Sequence, residues 1–122
     1  GKGSGYFYPL TILANATDGM RVVDEEQFGP VLPIIRYTDL DNAIRRANGT
    51  EFGLAASVWG SDSAQLNAVA ARLEAGTVYI NKHADISPNV PFGGIKSSGL
   101  GVEFGQEGLE AYTNIKIVNV AT

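Results

Sequence analysis

Two spacings of apolar residues alternate along this chain, and their order predicts an α/β fold. Leu40, Ala43, Ile44 and Ala47 recur at i, i+3, i+4 and i+7, the spacing that lays one apolar stripe along a helix. Thr38 with Asp41 three positions on forms a capping-box arrangement at its start, and Gly49 stands where a terminating glycine belongs. Leu66, Val69, Ala70 and Leu73 repeat the spacing in a second helix, opened by Ser61 or Ser63 and stopped at Gly76. Around these helices, residues 31–37, 54–59 and 77–81 are short apolar runs bounded by turn residues, as buried strands are. Strand, helix, strand, helix, strand in that order calls for crossover connections, and so for a parallel βαβαβ sheet covered by helices.

The flanks read differently. Residues 1–5 form a glycine-rich leader that looks like a surface turn or a cut end. Residues 6–13 are aromatic and β-branched and predict a further strand, interrupted at Pro9. Pro33 places the run 31–37 at an edge or a bulge, because proline has no N–H to give a ladder. Residues 102–111 are weakly helical despite Gly105 and Gly108. Residues 112–120 alternate, with Ile115 and Ile117 on one face and Asn114 and Lys116 on the other. Such a strand after a parallel unit is expected to pair with another sheet or another subunit. The division expected is a body over residues 1–111 and a terminal strand over 112–122.

Composition narrows the function classes. At 122 residues, with 44% apolar and 18% charged side chains, the chain is globular and long enough for a core of its own. A formal charge of −4, with no basic cluster larger than Arg45-Arg46, lacks the electrostatic footprint of a nucleic-acid or anionic-membrane binder. There is no cysteine, which excludes a disulfide, a thiolate nucleophile or a cysteine-ligated metal within this sequence. A single histidine, His83, leaves zinc without a ligand set, so no metal is expected. No apolar run is long enough to span a bilayer and no signal layout opens the sequence, so a cytoplasmic location is expected.

Four stretches carry candidate chemistry. Pro91-Phe92-Gly93-Gly94-Ile95-Lys96-Ser97-Ser98-Gly99-Leu100-Gly101 has four glycines, too many for a regular element, and is too apolar for a solvated linker. It reads either as a tight structural crossover or as a backbone built to approach a ligand closely. Asp24-Glu25-Glu26-Gln27-Phe28-Gly29-Pro30 joins adjacent carboxylates to a ring beside a Gly-Pro turn. One carboxylate there suits a ribose diol and the ring suits a flat heterocycle; a solvated acidic turn with Phe28 in the core fits as well. His83 either lines a pocket mouth or is simply exposed. Glu103 is either a proton acceptor, if buried, or a first-turn helix glutamate favoured by the dipole.

Taken in order and at these intervals, the stretches resemble the C-terminal portion of the NAD(P)-dependent aldehyde dehydrogenase superfamily. The residues that carry the resemblance are Glu25-Glu26-Gln27-Phe28-Gly29-Pro30, Leu54-Ala55-Ala56-Ser57-Val58, Ala75-Gly76-Thr77-Val78-Tyr79-Ile80-Asn81 and Pro91-Phe92-Gly93-Gly94-Ile95-Lys96-Ser97-Ser98-Gly99. Gly5-Tyr6-Phe7 and Gly108-Leu109-Glu110-Ala111-Tyr112-Thr113 extend it over almost the whole chain. The resemblance implies that Glu26 hydrogen-bonds the nicotinamide ribose of NAD or NADP, that Phe28 packs beside it, and that Phe92 lines the substrate tunnel. It makes residues 82–89 a substrate-anchoring loop, with His83 and Ile86 as selectivity residues, and Glu103 a possible proton relay. Val102 stands where many relatives carry arginine.

In that family a thiolate attacks an aldehyde and the product is a carboxylic acid, by way of a thioester. The nucleophile and the glycine-rich dinucleotide-binding unit lie upstream of the region this chain resembles. The expectation is therefore a C-terminal fragment, belonging to the catalytic domain and the terminal oligomerisation strand. Its partners would be the rest of its own enzyme chain and an aldehyde, in a homodimer or homotetramer. The fragment alone is expected to be inactive, and cofactor-dependent aldehyde oxidation by the purified 122 residues would overturn this. The alternative is a stand-alone non-catalytic module that binds a partner chain through its terminal strand.

Overall fold

In the computed structural model, which describes residues 3–121, the chain divides into two units, residues 1–46 and 47–122. Gly1 and Lys2 of the expected leader, and Thr122 of the expected terminal strand, lie outside the described residues.

The first unit is built on a parallel pair, β1 (Thr11–Leu13) and β2 (Val31–Pro33), in the register Thr11↔Val31, Ile12↔Leu32, Leu13↔Pro33. The short helix α1 (Arg21–Asp24) lies in the connection between them. Both strands are shorter than the runs 6–13 and 31–37 suggested, and proline accounts for the limit at one end. Pairing begins where the Thr11 N–H reaches the carbonyl of Pro30, after Pro9 has passed without a donor. It ends where the Ile34 N–H reaches Leu13 O, so Pro33 sits at the strand terminus with its nitrogen turned away from β1, and its missing N–H costs this pair no ladder bond. Helix α2 (Leu40–Asn48) follows, with Asp39 Oδ1 accepting from the Asp41 N–H. Its apolar stripe turns Ile44 inward, and Ala16 is also buried. Arg46 on the same helix grips Asp18 with two hydrogen bonds, at 2.6 and 3.1 Å, and reaches the Arg36 carbonyl at 3.3 Å.

The second unit carries the expected strand–helix–strand. β4 (Ala55–Val58) and β5 (Thr77–Ile80) pair in parallel from Ala55↔Thr77 to Val58↔Ile80, and helix α3 (Ser63–Ala70) packs on both. Leu66 and Val69 of α3 and Tyr79 of β5 are buried together as the core of this unit. Burial of each such side chain is worth about 1.5–3 kcal/mol. The residue that opens α3 is neither Ser61 nor Ser63 but Asp62, whose Oδ1 accepts from the N–H groups of Ala64 and Gln65. An aspartate at this position satisfies two of the unpaired first-turn donors at once. Asn48 and Asn81 act as side-chain staples: Asn48 accepts from Glu74 N and donates to Arg72 O, and Asn81 does the same with Gly60 N and O.

Three differences from the sequence reading matter. The strands form three two-stranded ladders, two parallel and one antiparallel, rather than one continuous parallel βαβαβ sheet, although the α/β class holds. The antiparallel ladder joins β3 (Phe52–Gly53) to β6 (Ile95–Lys96), elements too short to leave a period in the sequence. Residues 112–121 hold no strand: after α4 (Gly105–Glu110) and a turn they are exposed and have no regular element. A strand exists only against a partner edge, and the described residues supply none here. Among the described residues no helix is long and apolar enough to cross a membrane.

Candidate functional site

The glycine-rich segment is folded into a closed loop. Phe92 and Glu103 face each other across an antiparallel bridge, each N–H donating to the other's carbonyl at 2.8 Å, and so bring together two residues singled out in the sequence. The tip is fastened as firmly as the base. Ile95 and Lys96 pair with Gly53 and Phe52, Ser97 N donates to Glu51 O at 2.9 Å, and the Gly53 N–H donates to Ser98 Oγ at 2.9 Å. Close approach explains the glycines at two points. A Cβ on Gly76 would fall onto the carbonyl oxygen of Gly93, and one on Gly94 would lie 2.6 Å from Ser98 Cβ. The loop walls an open depression of about 430 Å³, lined by Leu54, Phe92, Ser98, Val102 and Glu103 among others.

Within that wall Phe92 is half-buried, which fixes its ring, while Glu103 is exposed. The burial that a proton acceptor at Glu103 called for is therefore not present in these residues. Nor is Glu103 a first-turn helix residue, since α4 begins at Gly105 and takes Phe104 as its N-cap, at φ +63°. The carboxylate stands at the loop's exit, beside the depression.

His83 is neither free nor at a metal site. Its Nδ1 is hydrogen-bonded to the Ser57 hydroxyl on β4, and its ring meets Tyr79 of β5 edge-on at 5.8 Å. The start of the 82–89 loop is thereby pinned to the end of the β4–β5 ladder. Lys82 pairs with Asp85 in the same loop, Ala84 takes φ +55°, and Ile86 is 49% exposed at its outer side. Among the described residues no group of three or more His, Cys, Asp or Glu could hold a metal ion.

In the first unit, the acidic turn separates its two adjacent glutamates. Arg21 Nε and Nη2 hold both oxygens of Glu25, at 2.6 and 2.9 Å. Those hydrogen bonds hold the Glu25 carboxyl below its ordinary range and raise the Arg21 guanidinium above its own. Glu26 has no hydrogen-bond or ion-pair partner among the described residues, and is exposed. Phe28 is 99% exposed, so it is not a core residue of this chain, while Gln27 buries a side-chain oxygen that has no hydrogen-bond partner among the described residues. An unpaired carboxylate next to an uncovered ring fits the ribose and the flat base that a dinucleotide presents. Neither Ser57 nor the role of Lys96 is announced by local spacing, because their partners lie on other elements, whereas Arg21 and Glu25 stand at i, i+4.

The family model described as the aldehyde dehydrogenase family matches residues 1–118. Aldehyde dehydrogenase 1A1 of Oryctolagus cuniculus is 46% identical over 116 residues, covering 95% of this chain and 23% of that protein. The same enzyme of Gallus gallus is 45% identical over 116 residues, with the same coverage of 95% and 23%. Among solved structures, the NAD+ complex of an aldehyde dehydrogenase from Bacillus cereus superposes with a TM-score of 0.90 at 41% identity, over 93% of this chain and 23% of that one. The Mycobacterium tuberculosis aldehyde dehydrogenase complexed with NAD+ gives 0.81 at 42% identity, over 84% and 21%. The chain thus spans about a quarter of the length of the relatives it matches.

Proposed function

This chain belongs to the aldehyde dehydrogenase family, and from that premise we propose that it is the C-terminal part of an enzyme that oxidises an aldehyde to a carboxylic acid with NAD or NADP. One observation carries the reading: nearly the whole chain matches that family in sequence and in fold, and the match includes the closed loop that puts Phe92 and Glu103 side by side. The cysteine that would attack the aldehyde belongs to the remainder of the enzyme, since this sequence has none.

The roles of its own residues follow from their surroundings. Glu26 accepts hydrogen bonds from the hydroxyls of the cofactor ribose, a role that suits it because Arg21 occupies Glu25 and leaves Glu26 open. Phe28 gives the neighbouring flat surface. The cofactor, when bound, supplies the hydride acceptor. Phe92 forms part of the wall that orients the aldehyde and keeps water from it, and its half-burial in a doubly fastened loop holds the ring still for that purpose. Glu103, exposed at the loop exit, passes protons between the site and solvent. His83 and Ile86 tune which aldehyde is accepted, with His83 fixed by Ser57.

Residues 112–122 form the oligomerisation strand of a homodimer or homotetramer in this reading. Tyr112, Ile115, Ile117, Val118 and Val120 are all at least 74% exposed here, and pairing with a second subunit's edge would cover alternate members of the set. A stand-alone module binding a partner by the same strand differs in one observable, the reading frame ahead of Gly1. A cysteine and a dinucleotide-binding fold there establish the enzyme; a start codon at Gly1 establishes the module.

The experiment that tests the cofactor assignment is Glu26→Gln in the full-length protein. Loss of one charge-assisted hydrogen bond, about 1.5–3 kcal/mol, predicts a cofactor KM or a hydride-transfer rate worse by roughly tenfold or more. If both stay at their wild-type values, Glu26 does not hold the ribose.

A further inference from the structure

Lys96 stands at the tip of the closed loop in the left-handed region, with φ +54°. That conformation is uncommon for a side chain with a Cβ and persists only when the surroundings enforce it. The enforcement is visible at the other end of the side chain. Its Nζ donates to the carbonyl of Asn48, the last residue of α2, at 2.7 Å and to the Thr50 carbonyl at 3.2 Å, and it pairs with Glu74 Oε2 at 2.9 Å. Only 23% of the side chain is exposed. Two carbonyls, one of them at a helix C-terminus, and a carboxylate make a cage for a compact cation with three donors, which suits an ammonium.

The cage ties the loop tip to two segments that are already joined to each other, since Asn48 accepts from Glu74 N and donates to Arg72 O. Asn48 and Thr50 lead into β3, Glu74 precedes Gly76, and Lys96 itself pairs with Phe52 in the β3–β6 ladder. On the other side of Lys96, two residues away, Gly94 packs against Ser98, and Gly93 packs against Gly76. A change of backbone at Lys96 therefore passes directly to the glycines behind Phe92. We propose that Lys96 is a positioning residue: its ammonium locks the loop tip and thereby sets Phe92 and Glu103 at the wall of the aldehyde site. This rests on the reading of Phe92 as a substrate wall given above.

The test uses the full-length enzyme with Lys96→Met, which keeps the apolar stem and removes the three polar contacts. Hydrogen exchange followed by mass spectrometry on peptides spanning residues 92–103 should speed up by about tenfold at the Phe92–Glu103 bridge. The aldehyde kcat/KM should fall by a similar factor, carried by the aldehyde KM, while the cofactor KM stays within about twofold. Unchanged exchange in the folded variant overturns the clamp whatever the kinetics, and equal losses in aldehyde and cofactor parameters overturn it in favour of general destabilisation. Faster exchange with unaltered aldehyde kinetics overturns instead the reading of Phe92 as a wall, and the clamp stands. Should Lys96→Met fail to fold, Glu74→Gln keeps both carbonyl contacts and should speed the same exchange by about threefold; no change there overturns the clamp.

Discussion

The two stretches to which the proposal assigns the chemistry, the glycine-rich loop and the acidic turn, are supported in opposite ways. Residues 92–103 are closed by a backbone bridge, tied at the tip by a ladder and a lysine cage, and packed glycine against glycine on β5's entry. Residues 24–30 begin at the last residue of a four-residue helix with no side-chain cap, and present Glu26 and Phe28 to solvent. The loop is organised by the chain itself, whereas the turn offers groups whose counterpart is still to be supplied. That contrast suits a wall that must hold its shape before substrate arrives and a contact that a large ligand completes.

The sharpest way to break the comparison is to add one methyl group to each region. Gly76→Ala puts a Cβ onto the carbonyl of Gly93, a backbone atom that cannot swing away, and overpacking of this kind costs about 1–3 kcal/mol. Gly29→Ala meets nothing within 4 Å and should stay within about 0.5 kcal/mol. Urea unfolding of the full-length protein would show a clear drop in midpoint for Gly76→Ala and none for Gly29→Ala. Equal midpoints would mean that the loop is no more tightly built than the turn.

The same contrast explains what the sequence could and could not announce. Helix periodicity found α2 and α3 and put Ile44, Leu66 and Val69 on their buried sides, because a helix writes its packing face into local spacing. The apolar runs found the β4–β5 parallel pair. What stayed hidden is made of contacts far apart in the chain. The β3–β6 ladder joins residues 52–53 to 95–96, and the lysine cage draws on residues 48, 50, 74 and 96. Residues 112–120 differ in the opposite sense: their alternation is a local signal for a strand expected to pair with another sheet or subunit, and among the described residues they meet no such edge. Asp62 displaced the serines as the cap of α3 because two acceptable capping residues flank a third, and only geometry chooses among them.

A second and smaller effect separates the two rings. Phe92→Ala removes a half-buried ring from a rigid wall and should change the preference between short and long aldehydes several-fold, with the cofactor KM little altered. Phe28→Ala removes a ring that is 99% exposed, leaves stability nearly as it was, and should act on the cofactor KM alone. Steady-state kinetics with an aldehyde series at saturating cofactor, then with varied cofactor, separates the two. If Phe28→Ala shifts aldehyde preference as much as Phe92→Ala does, the assignment of wall to one and cofactor contact to the other fails.

The smallest expected effect lies in the pair that frees Glu26. Arg21 holds the Glu25 carboxyl below its ordinary range by side-chain hydrogen bonds, and a carboxyl whose folded pKa is depressed lends stability above its unfolded pKa and loses it as pH falls through the folded value. The contribution of the pair should therefore be constant at neutral pH and be lost progressively once the pH falls below the ordinary carboxylate range. Both side chains are well exposed, so salt screens the pair and the effect on stability is slight. Arg21→Gln should shift the urea midpoint marginally at pH 7 in low salt, and by less as the pH falls through the carboxylate range or in about 1 M salt. A difference that stays undiminished on acidification would show that Arg21 supports α1 by something other than the Glu25 charge, and the reason for Glu26 standing open would have to be sought elsewhere in the turn.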